Sequence, residues 1–275
     1  NGGIVQLSAA DAGKLSRGSV NIGSSGRVYA KSDANIGGSI VIGGPDKQNV
    51  MIAGNLDVSS DIKEKNLTQN FGNVKINGGN VKIIGNIKAS DSKANIKISS
   101  QRDLSLNGRI MADGSKGGNI ELYAENLVKK APSSYLDASG TYKGGRIAVN
   151  SNTKIISSGS LIASSGSGYG GVVDISSKNI EFKASNIDAS GLKRGGLVRI
   201  GGELQGGNYK FKNSQSYREM KIAQKANTIL RNAEKVSVDN LTSVNVSSKR
   251  GKGGVAIIWS EKETRFSFNC RLRHR

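Results

Sequence analysis

The chain has 275 residues, with 40 basic and 21 acidic side chains (formal charge +19), 37 glycines, two prolines, one cysteine and only 5% aromatic residues. A single cysteine excludes a disulfide framework, and the absence of any long apolar run excludes a membrane-spanning hydrophobic helix. The basic excess implies either an anionic partner (nucleic acid, sulfated glycan, acidic polysaccharide or anionic lipid) or a solvated surface without one.

From the N-terminus, Gly2-Gly3-Ile4-Val5-Gln6-Leu7 already reads as a repeat in progress, with no initiator Met and no signal peptide, so a fragment of a longer protein is expected. Residues 1–110 form a looser set of repeats. Val28-Tyr29-Ala30-Lys31-Ser32 and Gly37-Gly38-Ser39-Ile40-Val41-Ile42-Gly43-Gly44 show a strand, a turn, a glycine doublet and a second strand. Leu56-Asp57-Val58-Ser59 closes another repeat, and the polar residues 61–70 read as a loop protruding at a corner.

Residues 111–202 are the regular block. Glycine doublets open at Gly117, Gly144, Gly170 and Gly195, and each step is one position shorter than the last. A small residue closes each repeat at Ala89, Ala112, Ala138, Ala163 and Ala189. Between these marks the pattern alternates with period 2: Ile147 and Val149, Val173 and Ile175, Val198 and Ile200. Such alternation signals strands with one buried face. About 25 residues holding three short strands leave no room for a helix, and a fixed period of this size signals a repeat architecture. A single Trp argues against a WD-type propeller, and no regular Leu/Asn framework of leucine-rich repeats is present. The expected fold is therefore all-β, a parallel β-helix of about eleven coils and on the order of 50 Å long, if strands stack at about 4.8 Å. Glycine supplies the corners, by positive φ or close backbone approach, and proline is scarce because it lacks a ladder donor.

Residues 203–240 break the rhythm and read as an insertion, with Tyr209, Phe211 and Tyr217 clustered in it and a short helix expected over residues 216–226. The next glycine doublet, at Gly253, follows Gly195 at a distance that reads as two coils and a small excess. Residues 241–266 read as the last coil. Residues 267–275 form an aberrant basic tail that holds the only Cys and the only His, Cys270 and His274, and suggests a change of reading frame.

The C-terminal third resembles the filamentous-haemagglutinin-like exoproteins of bacterial two-partner secretion. Their repeats take the form I-x-A-S-G…G-G-x-V-x-I-G-G-D, followed by an insertion beginning Y-Q-G and then by G-G-x-V-x-V-W-S/A-D…T-x-F-x-G. Residues 187–202 match the first part, Glu203-Leu204-Gln205-Gly206 the second and residues 253–266 the third. Glu203 stands where the family has Asp, and the glycine expected after Phe266 is Ser267. The resemblance implies a right-handed β-helix in the shaft of a surface adhesin. It also implies an outer-membrane transporter as export partner, an extracellular or cell-surface location, and anionic or sulfated glycans as possible ligands.

No residue is assigned a catalytic, cofactor-binding or metal-binding role, and the chain is not expected to be an enzyme. The alternative is a polysaccharide lyase or hydrolase on the same scaffold, and a further one a pure spacer or degraded gene product. Asp137 and Asp188 are the nearest candidates for paired carboxylates, at equivalent outward positions two coils apart with Ile162 between them. Exposed strand ends do not raise an acid's pKa as an inverting glycosidase requires. Cys270 and His274 offer two ligands where structural zinc needs four. Glycine-rich segments such as residues 166–171 precede strands and lack the Gly-Lys-Ser/Thr of a phosphate loop. The basic residues come singly, without an aromatic stacking platform, which disfavours nucleic acid.

Overall fold

Isoleucine and valine recur at one place in each repeat, and in the computed structural model these residues stack on one another. The structure describes residues 3–8, 18–31, 37–43, 48–60, 72–90, 93–207, 230–267 and 271–273. A first sheet contains nine strands: Ile4–Leu7, Ser39–Ile42, Asn73–Gly78, Asn95–Ser100, Asn119–Ala124, Arg146–Ser151, Val172–Ser176, Leu197–Ile200 and Val255–Ile258. Each pairs in parallel with the strand one repeat away. The remaining two strand segments of each repeat belong to a second, 16-stranded parallel sheet. In the sixth and seventh repeats these two segments merge into Lys154–Ile162 and Asn179–Asp188. The protein is thus all-β with parallel pairing throughout, and the described residues include no α-helix.

Register explains why the inward residues are so uniform. Ile40, Val74, Ile96, Ile120, Ile147, Val173 and Val198 form one column, and Ile42, Ile76, Ile98, Leu122, Val149, Ile175 and Ile200 another. All are at most 1% exposed. Each such side chain contributes roughly 1.5–3 kcal/mol of apolar burial, and one of different size would leave a gap or a clash above and below. The small residues Ala89, Ala112, Ala138, Ala163 and Ala189 are fully buried. They follow the last second-sheet strand segment of each repeat, before the chain returns to the first sheet.

The doublet glycines are required by close approach. A Cβ on Gly144 would lie 2.0 Å from the Ala163 carbonyl oxygen, and one on Gly170 would lie 2.0 Å from that of Ala189. Neither residue is in the left-handed region. Of the two reasons expected for corner glycines, proximity is the one that applies here.

Two expectations change. Among the described residues the first sheet has nine rungs, not the eleven obtained by dividing the chain by the repeat length. Its strands beginning at Asn73, Asn95, Asn119, Arg146, Val172 and Leu197 follow one another at nearly even spacing, but the steps from Ile4 to Ser39 and from Ser39 to Asn73 are distinctly longer. Extra residues between strands lengthen a repeat without adding a rung. For the same reason the stretch from Gly195 to Gly253 forms one repeat, not two, because Leu197–Ile200 pairs directly with Val255–Ile258.

Within residues 203–240 the ladder resumes at Lys235–Val238, which pairs with residues 179–182. Within residues 267–275, Arg271–Arg273 pairs with Ser243–Asn245 and continues the ladder. The loop expected at 61–70, the aromatic cluster Tyr209, Phe211 and Tyr217, the helix expected at 216–226, and Cys270 and His274 all lie outside the described residues.

Candidate functional site

The two carboxylates singled out in the sequence stand where the repeat puts them. Asp137 is in register with Ile162, and Ile162 with Asp188, so they occupy one outward column two rungs apart. Each serves the chain's own backbone. Asp137 Oδ1 accepts the Ser139 N–H at 2.8 Å, and Asp188 Oδ1 accepts the Ser190 N–H at 2.8 Å. In the next repeat Asn245 Oδ1 accepts the Ser247 N–H at 3.0 Å, and near the N-terminal end Asp57 Oδ1 accepts the Ser59 N–H at 2.9 Å. Four repeats thus use the same cap two residues back from the donor, an arrangement open to Asp and Asn alike. At Asp57 burial works to raise the carboxyl pKa, but the Ser59 N–H and Lys31 outweigh it and hold the group below the ordinary carboxylate range. Lys31 Nζ lies 2.9 Å from its Oδ2. The column is a row of corner caps, with Ile162 between Asp137 and Asp188.

A second set of charges is centred on a buried pair and is not marked by the repeat pattern. Asp174 and Arg199 are adjacent in register on the outward face of the first sheet, and both side chains are fully buried. Arg199 Nε donates to Asp174 Oδ1 at 2.8 Å, and Nη2 to Oδ2 at 3.0 Å. Arg199 also donates to Glu203, and Arg146 joins Asp174 Oδ2 (3.0 Å) to Glu121 Oε1 (3.2 Å). Five alternating charges run across consecutive repeats, and every neighbour in the row is of opposite sign. Beside them Val172, Leu197 and Ile257 form an apolar cluster against Leu204, Val255 and Trp259. The readable signal lies in Val172–Ser176 and Leu197–Ile200, where apolar residues occupy both faces. Strands buried on both sides lose their alternation.

Lys130 is a further buried charge-bearing group. It ends Leu127–Lys130 on the inward face, in register with the core residue Leu106. Its Nζ donates to the Ser158 carbonyl at 2.9 Å. Burial drives its pKa down to about 7, so near neutrality a good part of the population is uncharged.

Among the described residues no three His, Cys, Asp or Glu side chains are placed to hold a metal ion. No described helix is long and apolar enough to cross a membrane.

The remaining candidate is the corner between the small buried residue and the glycine doublet. Here the backbone forms its own ladder: Gly114–Lys116 pairs with Gly140–Lys143. Bridges continue it from Lys143 to Tyr169, Arg194 and Lys252, and from Gly140 to Ser165, Gly191 and Ser248. Serines stitch it together: Ser165 and Ser167 donate to the Thr141 carbonyl, and Ser248 to that of Leu192. The corner is an ordered edge five repeats long. No family model, curated protein or solved structure matches the chain.

Proposed function

We propose that the two parallel sheets are faces of a right-handed parallel β-helix. The protein then acts as the rigid shaft of an exported surface adhesin of the filamentous-haemagglutinin-like kind, with anionic glycans as its ligands. The unbroken register from Asn73 through Val255–Ile258 carries this reading. Seven first-sheet strands stack without a slip, and every repeat rests on its neighbours, as in a quasi-one-dimensional rod. Right-handedness follows from the crossover rule for parallel strands. Residues 187–206 and 253–266 support the family assignment, and the +19 charge supports an anionic ligand. The corner-cap role of Asp137 and Asp188 favours a binding shaft over a polysaccharide lyase.

The export reading is tested by fusing the chain behind a two-partner secretion domain and expressing it with and without the cognate outer-membrane barrel. Protease accessibility on intact cells that depends on the barrel is the expected result. Retention inside the cell with the barrel present, while the secretion domain alone is exported, would overturn it.

A further inference from the structure

The corner ladder carries charge of almost one sign. Residues 113–117, 139–144, 164–170, 190–195 and 247–253 hold Lys116, Lys143, Lys193, Arg194, Lys249, Arg250 and Lys252, against Asp113 alone. Asp113 is already engaged, accepting the Ser90 hydroxyl at 2.5 Å. Lys116, Lys193, Lys249, Arg250 and Lys252 are exposed, and none makes an ion pair among the described residues. The opposite corner, after the first-sheet strands, differs. There Glu125, Glu203, Glu234 and Glu261 offset Arg102, Lys178, Arg231 and Lys262, and Glu234 bridges Lys178 and Lys262 at 3.3 and 2.7 Å. This corner is therefore strongly basic where the opposite one is balanced.

We infer that this edge is the docking strip for a linear polyanionic polysaccharide laid parallel to the stacking direction. The inference rests on the glycan-binding reading above and locates it. Five rungs at about 4.8 Å span roughly 19 Å. A chain running along that line meets cations on four of the five repeats, whereas one crossing it meets those of a single repeat, three at most. The remaining repeat presents Tyr169, 47% exposed and in register between Lys143 and Arg194, with Tyr142 at 53% beside it. An aromatic ring with an apolar face and a polar tip suits the C–H face of a sugar between anionic groups. The tyrosines are offset by one position, since Lys143, not Tyr142, is in register with Tyr169. They form no continuous platform for successive bases, which favours polysaccharide over single-stranded nucleic acid. The backbone bridges hold the loops in place before any ligand arrives, so little ordering cost attaches to binding.

The test compares two fourfold neutralised variants of the whole chain, with circular dichroism verifying that each retains its β-sheet spectrum. One carries Lys116→Gln, Lys193→Gln, Lys249→Gln and Lys252→Gln. The control carries Lys75→Gln, Lys82→Gln, Lys97→Gln and Lys129→Gln, on exposed positions of the flat faces. Binding of heparin at physiological salt is measured, with a single-stranded oligonucleotide of matched charge as competitor. Expected are a tenfold or greater rise in Kd for the corner variant and a smaller change, by severalfold, for the control. Equal losses in the two variants would overturn the strip and leave general glycan binding standing. Undetectable binding by the unaltered chain would overturn both. Tighter binding of the oligonucleotide than of heparin, lost in the corner variant, would overturn the polysaccharide assignment in favour of nucleic acid.

Discussion

Arg199 and Asp174 face each other across adjacent strands with two parallel hydrogen bonds, 2.8 and 3.0 Å, and neither side chain reaches solvent. Taking both from water costs several kcal/mol per ion, and only good geometry with further partners recovers it. Glu203 and Arg146 are those further partners. Asp174→Ala should therefore destabilise the protein by about 3–5 kcal/mol, because it leaves a buried guanidinium short of its main partner. The double variant Asp174→Leu with Arg199→Met should lose much less. Denaturant melts of the two variants give the comparison, and a double variant as unstable as the single one would show that the pair contributes net stability.

Lys130 gives a pH prediction whose sign follows from burial. Its pKa falls from the ordinary lysine value of 10.5 to about 7 in the folded protein. Between those values the unfolded chain binds more protons than the native one, so stability rises with pH across that interval. Each unit of difference corresponds to about 1.4 kcal/mol. Lys130→Met keeps the volume, removes the titration and should stabilise the protein at pH 7 by a few kcal/mol while flattening the rise toward pH 10. Guanidinium melts at pH 7 and 9.5 measure it. A variant with the same pH slope as the parent would show that Lys130 is not the source.

Much of this architecture is written in the sequence because a stacked repeat states each instruction several times. The inward columns through Ile147 and Val149, the closing alanines and the glycine doublets all mark positions that the register then confirms. Asp137 and Asp188 are legible as one column for the same reason. What period alone does not encode is the difference between residues that add a rung and residues that lengthen a loop, so the step from Gly195 to Gly253 reads as two repeats when it is one. Nor does it encode burial of an outward face. Asp174 and Arg199 sit where alternation assigns solvent, and only the apolar neighbours Val172 and Leu197 hint otherwise. The corner strip is legible as net charge but not as an edge, since its cations are separated in sequence by whole repeats.

Two glycines of one corner loop separate close approach from mere flexibility. Gly170→Ala places a methyl 2.0 Å from the Ala189 carbonyl oxygen, whereas a Cβ at Gly166 meets nothing within 4 Å. The first substitution must push two rungs apart and should cost several kcal/mol, in the range of other severe packing errors. The second should be neutral or stabilising by about 0.4–1 kcal/mol through the unfolded chain. Thermal melts of both settle the assignment, and equal effects would show that the corner backbone shifts freely.

Asp188 separates a cap from a catalyst. Its carboxylate accepts the Ser190 N–H, and one repeat on, Asn245 does the same for Ser247 with an amide oxygen. Asp188→Asn should therefore leave stability within about 0.5 kcal/mol. Asp188→Ala should cost on the order of 1 kcal/mol by leaving that donor without its cap. If the column is structural, neither substitution changes the release of reducing ends or unsaturated products from acidic polysaccharides. Any such release by the parent chain that vanishes with Asp188→Asn, while the melting curve stays put, would assign the residue to catalysis, because the amide preserves the hydrogen bond and removes only the ionisable group.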